Sequence, residues 1–447
     1  MRILAPLFVL TSVAAGQARW NQLSPTTSPT PRAGMIAVTD GSYAYFFGGL
    51  QGASTYANDL WRFDGSNWTD VTPGTGQLPP ARDWYVTAYD TTRSRLVVFG
   101  GRDAAGSDLG DLWEWNGSTW QSIGATPAPS PRRWASMTFD PTINACILFG
   151  GRDNLSGVYL NDTWAWDGTS WAQLSPGTSP TPRGRQVSVY DSRRGRIVMF
   201  GGRDSAALGE TWEFRAGNWT QIPTATVPGG TGIYAFGLTY DPVRDRVVLF
   251  GGTTTGGTLA NVWEFDGTDW TNRGASGPVS RTGCALTFVP ALGKSYLFGG
   301  FQTTQLGDTW DYQTDDVAQY TLTGAGCAGS NGVPMLVSDE LPWTQGTFPL
   351  QLQSLPTNAP ALLILGSTQT QIPLAAFGAP GCSLLASLDV QLPMATSGNT
   401  ATLGLPIPNV NALGGAAIYL QGVVVDPPAN ALDLVFSARG VATIGVR

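Results

Sequence analysis

The tripeptide Phe-Gly-Gly occurs six times in this 447-residue chain. The diglycines fall at Gly48-Gly49, Gly100-Gly101, Gly150-Gly151, Gly201-Gly202, Gly251-Gly252 and Gly299-Gly300, spaced by 52, 50, 51, 50 and 48 residues. Each ends a short apolar run such as RLVVFGG or RIVMFGG. A fixed period near 50 residues restricts the chain to a repeat architecture, in which each unit buries its apolar face only against its neighbours.

Residues 81–123 show what one unit contains. DWYVTAY and RLVVF read as strands joined by the turn DTTRS; DLWEW is a third strand and WQSI a fourth. No stretch between them has helical periodicity, so each repeat is expected to be a four-stranded antiparallel sheet. Asn116-Gly117 is taken as the two-residue hairpin loop, since such turns favour Asn-Gly. Trp61/Trp68, Trp113/Trp120, Trp164/Trp171, Trp212/Trp219 and Trp263/Trp270 are all seven apart. With that loop, the first Trp of each pair lies directly across from the second. The fourth repeat carries its Gly one place later, at Gly217, which leaves a longer loop with shifted register open.

A diglycine after an apolar strand, then a Trp, then a second Trp, on this period, resembles the kelch repeat over residues 20–316. The resemblance implies a six-bladed β-propeller with one blade per repeat. The sixth repeat has Trp310, but Val317 stands where its second Trp belongs. Trp20-Asn21-Gln22-Leu23-Ser24-Pro25 reads like Trp171-Ala172-Gln173-Leu174-Ser175-Pro176. The N-terminal segment is therefore expected to supply the last strand of the sixth blade and close the ring, which removes an exposed sheet edge.

The expected organisation is all-β: a signal peptide over residues 1–18, the propeller over 19–317, and a β-sandwich over 318–447. Arg2, the apolar run ILAPLFVL and small residues ending at Ala15 or Ala18 give the leader its signature. That run is too short to span a bilayer, so the chain is expected to be secreted, with no transmembrane segment. After Trp310 the repeat stops. Apolar runs such as ALLILG and AIYLQGVVV, separated by Pro/Gly turns, read as short strands. GAGCAGSNGVP, FGAPGCSLL and LPIPNVNALGG resemble an all-β domain appended to secreted bacterial repeat proteins. Cys327 and Cys382 lie in Gly-rich turns of an exported chain and are expected to form a disulfide. Cys146 and Cys284 sit on strands in the third and sixth repeats and are expected to be buried and free.

The net charge of −7 argues against nucleic-acid binding. The chain has no histidine. That excludes His-based acid–base catalysis, Ser-His-Asp and Cys-His nucleophiles, and His-ligated metals. The copper chemistry of kelch enzymes such as galactose oxidase is thereby ruled out. No catalytic residue, cofactor or metal is expected.

Four-strand topology places the segment before each first strand and the segment after each diglycine on one loop face; the opposite face carries tight turns. Arg32, Arg82, Arg132, Arg183 and Arg281 begin five first strands, with Ile233 in the fifth repeat. Arg102, Arg152 and Arg203 follow three diglycines. In kelch propellers that bind partners, arginines at such positions line the channel mouth, and by resemblance these eight form the candidate site. A guanidinium suits carboxylates because its planar fork accepts them bidentately. Each arginine could equally brace its own blade. Residues that break the repeat, Trp84, Trp134, Tyr234, Arg133 and Arg185, bear more directly on specificity. Asp90, Asp140, Asp191 and Asp241, which end first strands, read as turn caps. The leading functional expectation is a non-catalytic module binding a protein, peptide or glycan. The alternatives are a His-independent enzyme similar to sialic-acid mutarotases, with Asp103, Asp153, Asp204 or Glu210 as its carboxylate, and a purely structural surface protein.

Overall fold

The computed structural model describes residues 18–445 apart from 154, 275, 315–317, 339, 343, 345, 409–412 and 414. Residues 1–17 of the expected 1–18 leader, Val317 and Trp343 lie outside the described residues. Two compact units separate, Ala18–Gln313 and Thr314–Arg447.

The first unit is a six-bladed β-propeller of six four-stranded antiparallel sheets. In blade 2 the strands are Val86–Asp90, Arg95–Phe99, Leu112–Trp115 and Trp120–Ile123, from innermost to outermost. The sixth blade takes its outermost strand, Ala18–Leu23, from the N-terminus; it pairs with Gln305–Thr314. Asn21 donates to Asp311 at 2.8 Å across this closure.

The core is divided among six interblade seams rather than gathered in one centre. Each seam has the same clasp: the second Trp of a repeat packs on the Phe-Gly-Gly phenylalanine of the preceding blade. Centroid separations are 5.1 Å for Trp68–Phe298, 5.2 Å for Trp120–Phe47, 5.3 Å for Trp171–Phe99, 5.0 Å for Trp219–Phe149 and 4.9 Å for Trp270–Phe200. Trp20 completes the set on Phe250 at 4.9 Å. The N-terminal strand thus restores the clasp that the sixth repeat lacks.

The diglycines are required by backbone approach. Both residues have positive φ in all six repeats. A Cβ on Gly100 would lie 2.5 Å from the Arg132 carbonyl oxygen of the next blade, and the other first glycines meet equivalent carbonyls at 2.3–2.8 Å.

The Trp register differs from expectation. Trp115, not Trp113, opposes Trp120; the same offset pairs Phe63 with Trp68, Trp166 with Trp171, Phe214 with Trp219 and Phe265 with Trp270. The loop pair is Gly117-Ser118, one place later than assumed. Asn116 Oδ1 accepts the amides of Ser118 and Thr119 at 2.9 Å each, which fixes Asn116 as the flanking residue. In the fourth blade Ala216 and Gly217 both have positive φ and form the loop without changing the register.

The second unit contains a five-stranded sheet, ordered Gln319–Thr323, Leu434–Thr443, Ala417–Val425, Ala361–Gly366, Val390–Pro393. A four-stranded sheet and a hairpin accompany it, and one apolar core draws on both sheets. Cys327 and Cys382 are disulfide-bonded with Cα atoms 4.9 Å apart. Cys146 and Cys284 are buried and free.

Candidate functional site

The eight candidate arginines divide into two groups. Arg32, Arg82, Arg132, Arg183 and Arg281 are 0–2 % exposed. Arg82 shows the pattern. Its Nη1 and Nη2 bind Asp111 at 2.7 and 2.6 Å, Nη1 also reaches the Gly100 carbonyl at 2.9 Å, and Nε reaches the Pro80 carbonyl at 2.9 Å. Trp113 Nε1 donates to the same carboxylate at 2.7 Å. Arg32 with Asp59 and Trp61, Arg132 with Asp162 and Trp164, and Arg281 with Asp308 and Trp310 repeat this triad. Arg183 pairs with Glu210 at 2.9 Å. Burial acts to raise the Asp111, Asp162 and Asp308 carboxyls, but their guanidinium partners hold them below the usual carboxylate range. These five arginines do not line the mouth. They pin the third strand of their five blades to the diglycine, and their donors are committed there. Trp61, Trp113, Trp164 and Trp310, the first Trp of blades 1, 2, 3 and 6, serve this triad instead of the expected aromatic pair; Trp212 and Trp263 do not.

The mouth is built from three positions per blade. The residue after the buried arginine bridges to the residue after the diglycine: Ala33 to Leu50, Asp83 to Arg102, Arg133 to Arg152, Gly184 to Arg203, Tyr234 to Thr253, and Thr282 to Phe301. The next residue, at Gly34, Trp84, Trp134, Arg185, Ala235 and Gly283, has positive φ in every blade. These six close a backbone ring. Trp84, Trp134, Arg185, Ala235, Gly283 and Gly34 each donate N–H to the carbonyl of the preceding blade's member, at 2.7–3.1 Å.

Side-chain size is split around this ring, large at Trp84, Trp134 and Arg185 and small at Ala235, Gly283 and Gly34, for a steric reason. A Cβ on Gly283 would lie 2.9 Å from Trp84 Cη2, and one on Gly34 would lie 3.3 Å from Trp84 Cε2. The Trp84 indole therefore reaches across the mouth, over the glycines of blades 1 and 6. The Arg185 guanidinium lies 4.0 Å from the Trp134 ring centroid, 5.1 Å from Trp84 and 5.7 Å from Tyr234. Burial, then the nearby Arg203, pushes its pKa down to about 10. Below this plug lies a cavity of ≈ 40 Å³.

Arg203 lies 4.9 Å from the Tyr234 ring. Arg152 donates to the Gly157 carbonyl at 3.3 Å and lies 5.7 Å from Trp134. Arg102 binds the buried Asp83 at 2.9 Å, and Arg133 binds Asp108 at 3.1 Å. Among the described residues, Arg152, Arg185 and Arg203 make no ion pair. The structure therefore brings together Arg102, Arg152, Arg203, Trp84, Trp134 and Tyr234 from the candidate set, and adds Arg185 at their centre. Arg185 is legible in the sequence only as a break in the repeat, aligned with two tryptophans.

The carboxylates that a catalytic reading needs are engaged locally. Asp103 accepts the Ser107 amide, Asp153 the Leu155 and Ser156 amides, and Asp204 the Ala206 amide, while Glu210 holds Arg183. On the opposite face, Asp90, Asp140, Asp191 and Asp241 accept amides of their own turns.

The KLHDC2/KLHL20/DRC7 Kelch-repeats domain model matches residues 65–231 and 169–331, which together cover more than half of the chain. The dynein alpha chain of the flagellar outer arm from Chlamydomonas reinhardtii is 28% identical over 204 residues, 41% of this chain and 4% of that protein. Dynein regulatory complex subunit 7 of the same organism is 32% identical over 175 residues, 38% of this chain and 11% of that one. Human host cell factor 1 is 33% identical over 127 residues, 23% of this chain and 6% of that one. The chain thus spans only a small part of the length of these relatives. With its repeats, blades and diglycine geometry, the chain belongs to the kelch-repeat family.

Proposed function

We propose that this chain is an exported, non-catalytic member whose loop-face mouth takes an acidic segment of a protein or peptide partner. The observation that carries the reading is Arg185, held against Trp134 and Trp84 beside Arg203 and Arg152, none of the three in an ion pair. Cations stacked on aromatic faces keep their outward N–H groups for a carboxylate. The cationic sector spans blades 2 to 4. Blades 6 and 1 present Thr282, Phe301 and Leu50, with Phe301 38 % exposed. A ligand lying across the mouth therefore meets charge on one side and apolar surface on the other. The closed ring keeps it on the surface rather than in the channel.

Fluorescence anisotropy with an acidic peptide library, its Gln/Asn isosteres and sialylated glycans tests this. Acidic peptides are expected to bind at least ~10-fold tighter than the isosteres, since one charge-assisted hydrogen bond is worth about 1.5–3 kcal/mol. The double variant Arg185→Ala, Arg203→Ala is expected to erase that preference without lowering the melting temperature. Equal affinity for the isosteres, or a preference that survives the double variant, overturns the reading; a sialylated glycan as the sole hit moves it to sugars. Export is tested by the N-terminus of the secreted product, expected after Ala15 or Ala18.

A further inference from the structure

The channel behind the mouth leads elsewhere. Beyond the small cavity lies a hollow of ≈ 300 Å³, walled by the inner strands of all six blades. Its rim includes Thr91, Pro141, Pro242 and Pro290, residues of the turns that follow the first strands. It therefore opens on the tight-turn face, away from the arginines. The volume stands at the lower end of the range for small-molecule sites, roughly 300–1,000 Å³.

The chemistry of this hollow is opposite to that of the loop-face mouth. Among the described residues, no charged side chain lines it. The aspartates at the strand ends turn their carboxylates into their own turns, as described above. What remains is a set of hydroxyls, Thr39, Thr87, Thr138, Ser188, Thr239 and Thr287, with Tyr89 and Tyr190 among aliphatic walls. Some of the hydroxyls have protein partners: Thr39 donates to the Tyr43 carbonyl and accepts the Gly41 amide, Thr138 meets Ser188, and Thr239 accepts the Phe288 amide. Thr87 Oγ1 is buried and has none among the described residues. A buried hydroxyl without a partner is costly, and valine would serve the blade equally well if packing were its only task.

We infer that the tight-turn mouth of the channel is a second binding site, for a neutral, polyhydroxylated ligand of about monosaccharide size. Alternating hydroxyls and apolar walls match the polar edges and C–H faces of a sugar ring. The absence of charge along the lining selects against anionic sugars, which would lose hydration with no cation to meet them. The plug of Trp84, Trp134 and Arg185 makes the hollow blind, so the ligand enters and leaves by one face.

Saturation-transfer NMR and calorimetry on the full chain, with neutral mono- and disaccharides and sialic acid as the charged comparison, test the inference. Thr91 is exposed on the rim, so Thr91→Trp narrows the entrance without touching the core; Thr87→Val removes one hydroxyl at constant shape. The expected result is neutral-sugar binding that falls at least ~10-fold in Thr91→Trp and several-fold in Thr87→Val, with melting temperatures retained. Arg203→Ala, outside the plug and the lining of the hollow, is expected to leave it unchanged. The inference is overturned if no neutral saccharide binds at millimolar concentration, if Thr91→Trp binds as the wild type does, or if Arg203→Ala abolishes binding.

Discussion

Two sets of arginines stand on the loop face of the blades, and they do opposite things. Arg32, Arg82, Arg132, Arg183 and Arg281 are buried, with carboxylate and carbonyl partners in their own blades. Arg152, Arg185 and Arg203 stand partly buried at the mouth against aromatic rings. The residue type is the same and so is its flexible reach. What differs is the place each takes in the blade. The buried arginine reaches the Asp or Glu at the start of the third strand and becomes a brace; the mouth arginines of blades 3 and 4, whose acid Arg132 or Arg183 already holds, meet aromatic rings instead and keep donors for a ligand. Strict recurrence in this chain therefore marks architecture, and departures from it mark the surface available for recognition.

The sharpest way to break this contrast is to remove one member of each set. Arg132→Ala leaves the Asp162 carboxylate and the Gly150 carbonyl without their cation, and a loss of about 3–5 kcal/mol is expected by denaturant unfolding. An effect below about 1 kcal/mol would mean that the buried set is dispensable. Blade 5 already tolerates Ile233 at this place, with Asn261 where the others have an acid, so the carboxylate and the arginine are expected to matter as a pair.

Glu264 extends the contrast to pH. Burial acts to raise this carboxyl, but Arg244 and Arg273 more than offset it and hold it at about 2, with Tyr312 of the next blade donating at 2.9 Å. A depressed folded-state value gives stability that is full above the unfolded value, near 4.5, and is lost as pH falls toward 2. The contribution at neutral pH is about 3 kcal/mol. Glu264→Gln is expected to lower neutral-pH stability and to flatten the acid limb of the stability–pH curve. An unchanged acid limb would refute the assignment.

A smaller effect is expected at the plug. Gly283→Ala places a Cβ against the Trp84 indole at φ +60°, and a loss of about 1–3 kcal/mol is expected. Trp84→Ala in the same chain should recover part of it, because the contact goes while the backbone strain stays. Full additivity in that double-mutant cycle would mean that the two residues do not touch. The smallest effect belongs to Arg203→Ala, a partly exposed cation without an ion pair, expected to change stability by less than about 0.5 kcal/mol. A larger loss would place Arg203 with the braces.

Much of this could be read before any coordinates. The diglycine period gave the blade count, and the likeness of Trp20-Asn21-Gln22-Leu23 to Trp171-Ala172-Gln173-Leu174 located the closing strand. The hairpin register differs from the Asn-Gly expectation by two residues, because the Asn side chain caps the turn from outside the loop pair. The site was half legible. Trp84, Trp134 and Tyr234 stood out as breaks in the repeat, but their convergence on Arg185 depends on residues about 50 apart meeting across the axis.

Local chemistry along the chain is what sequence records well: glycine where φ is positive and carbonyls crowd, tryptophan where a seam needs filling, aspartate where a turn needs capping. Those choices determined the propeller and its closure. Which arginines are consumed and which are offered was decided only in three dimensions. That outcome depends on a carboxylate 27 to 30 residues downstream reaching the guanidinium, and on six consecutive blades bringing one backbone position each into a single closed ring.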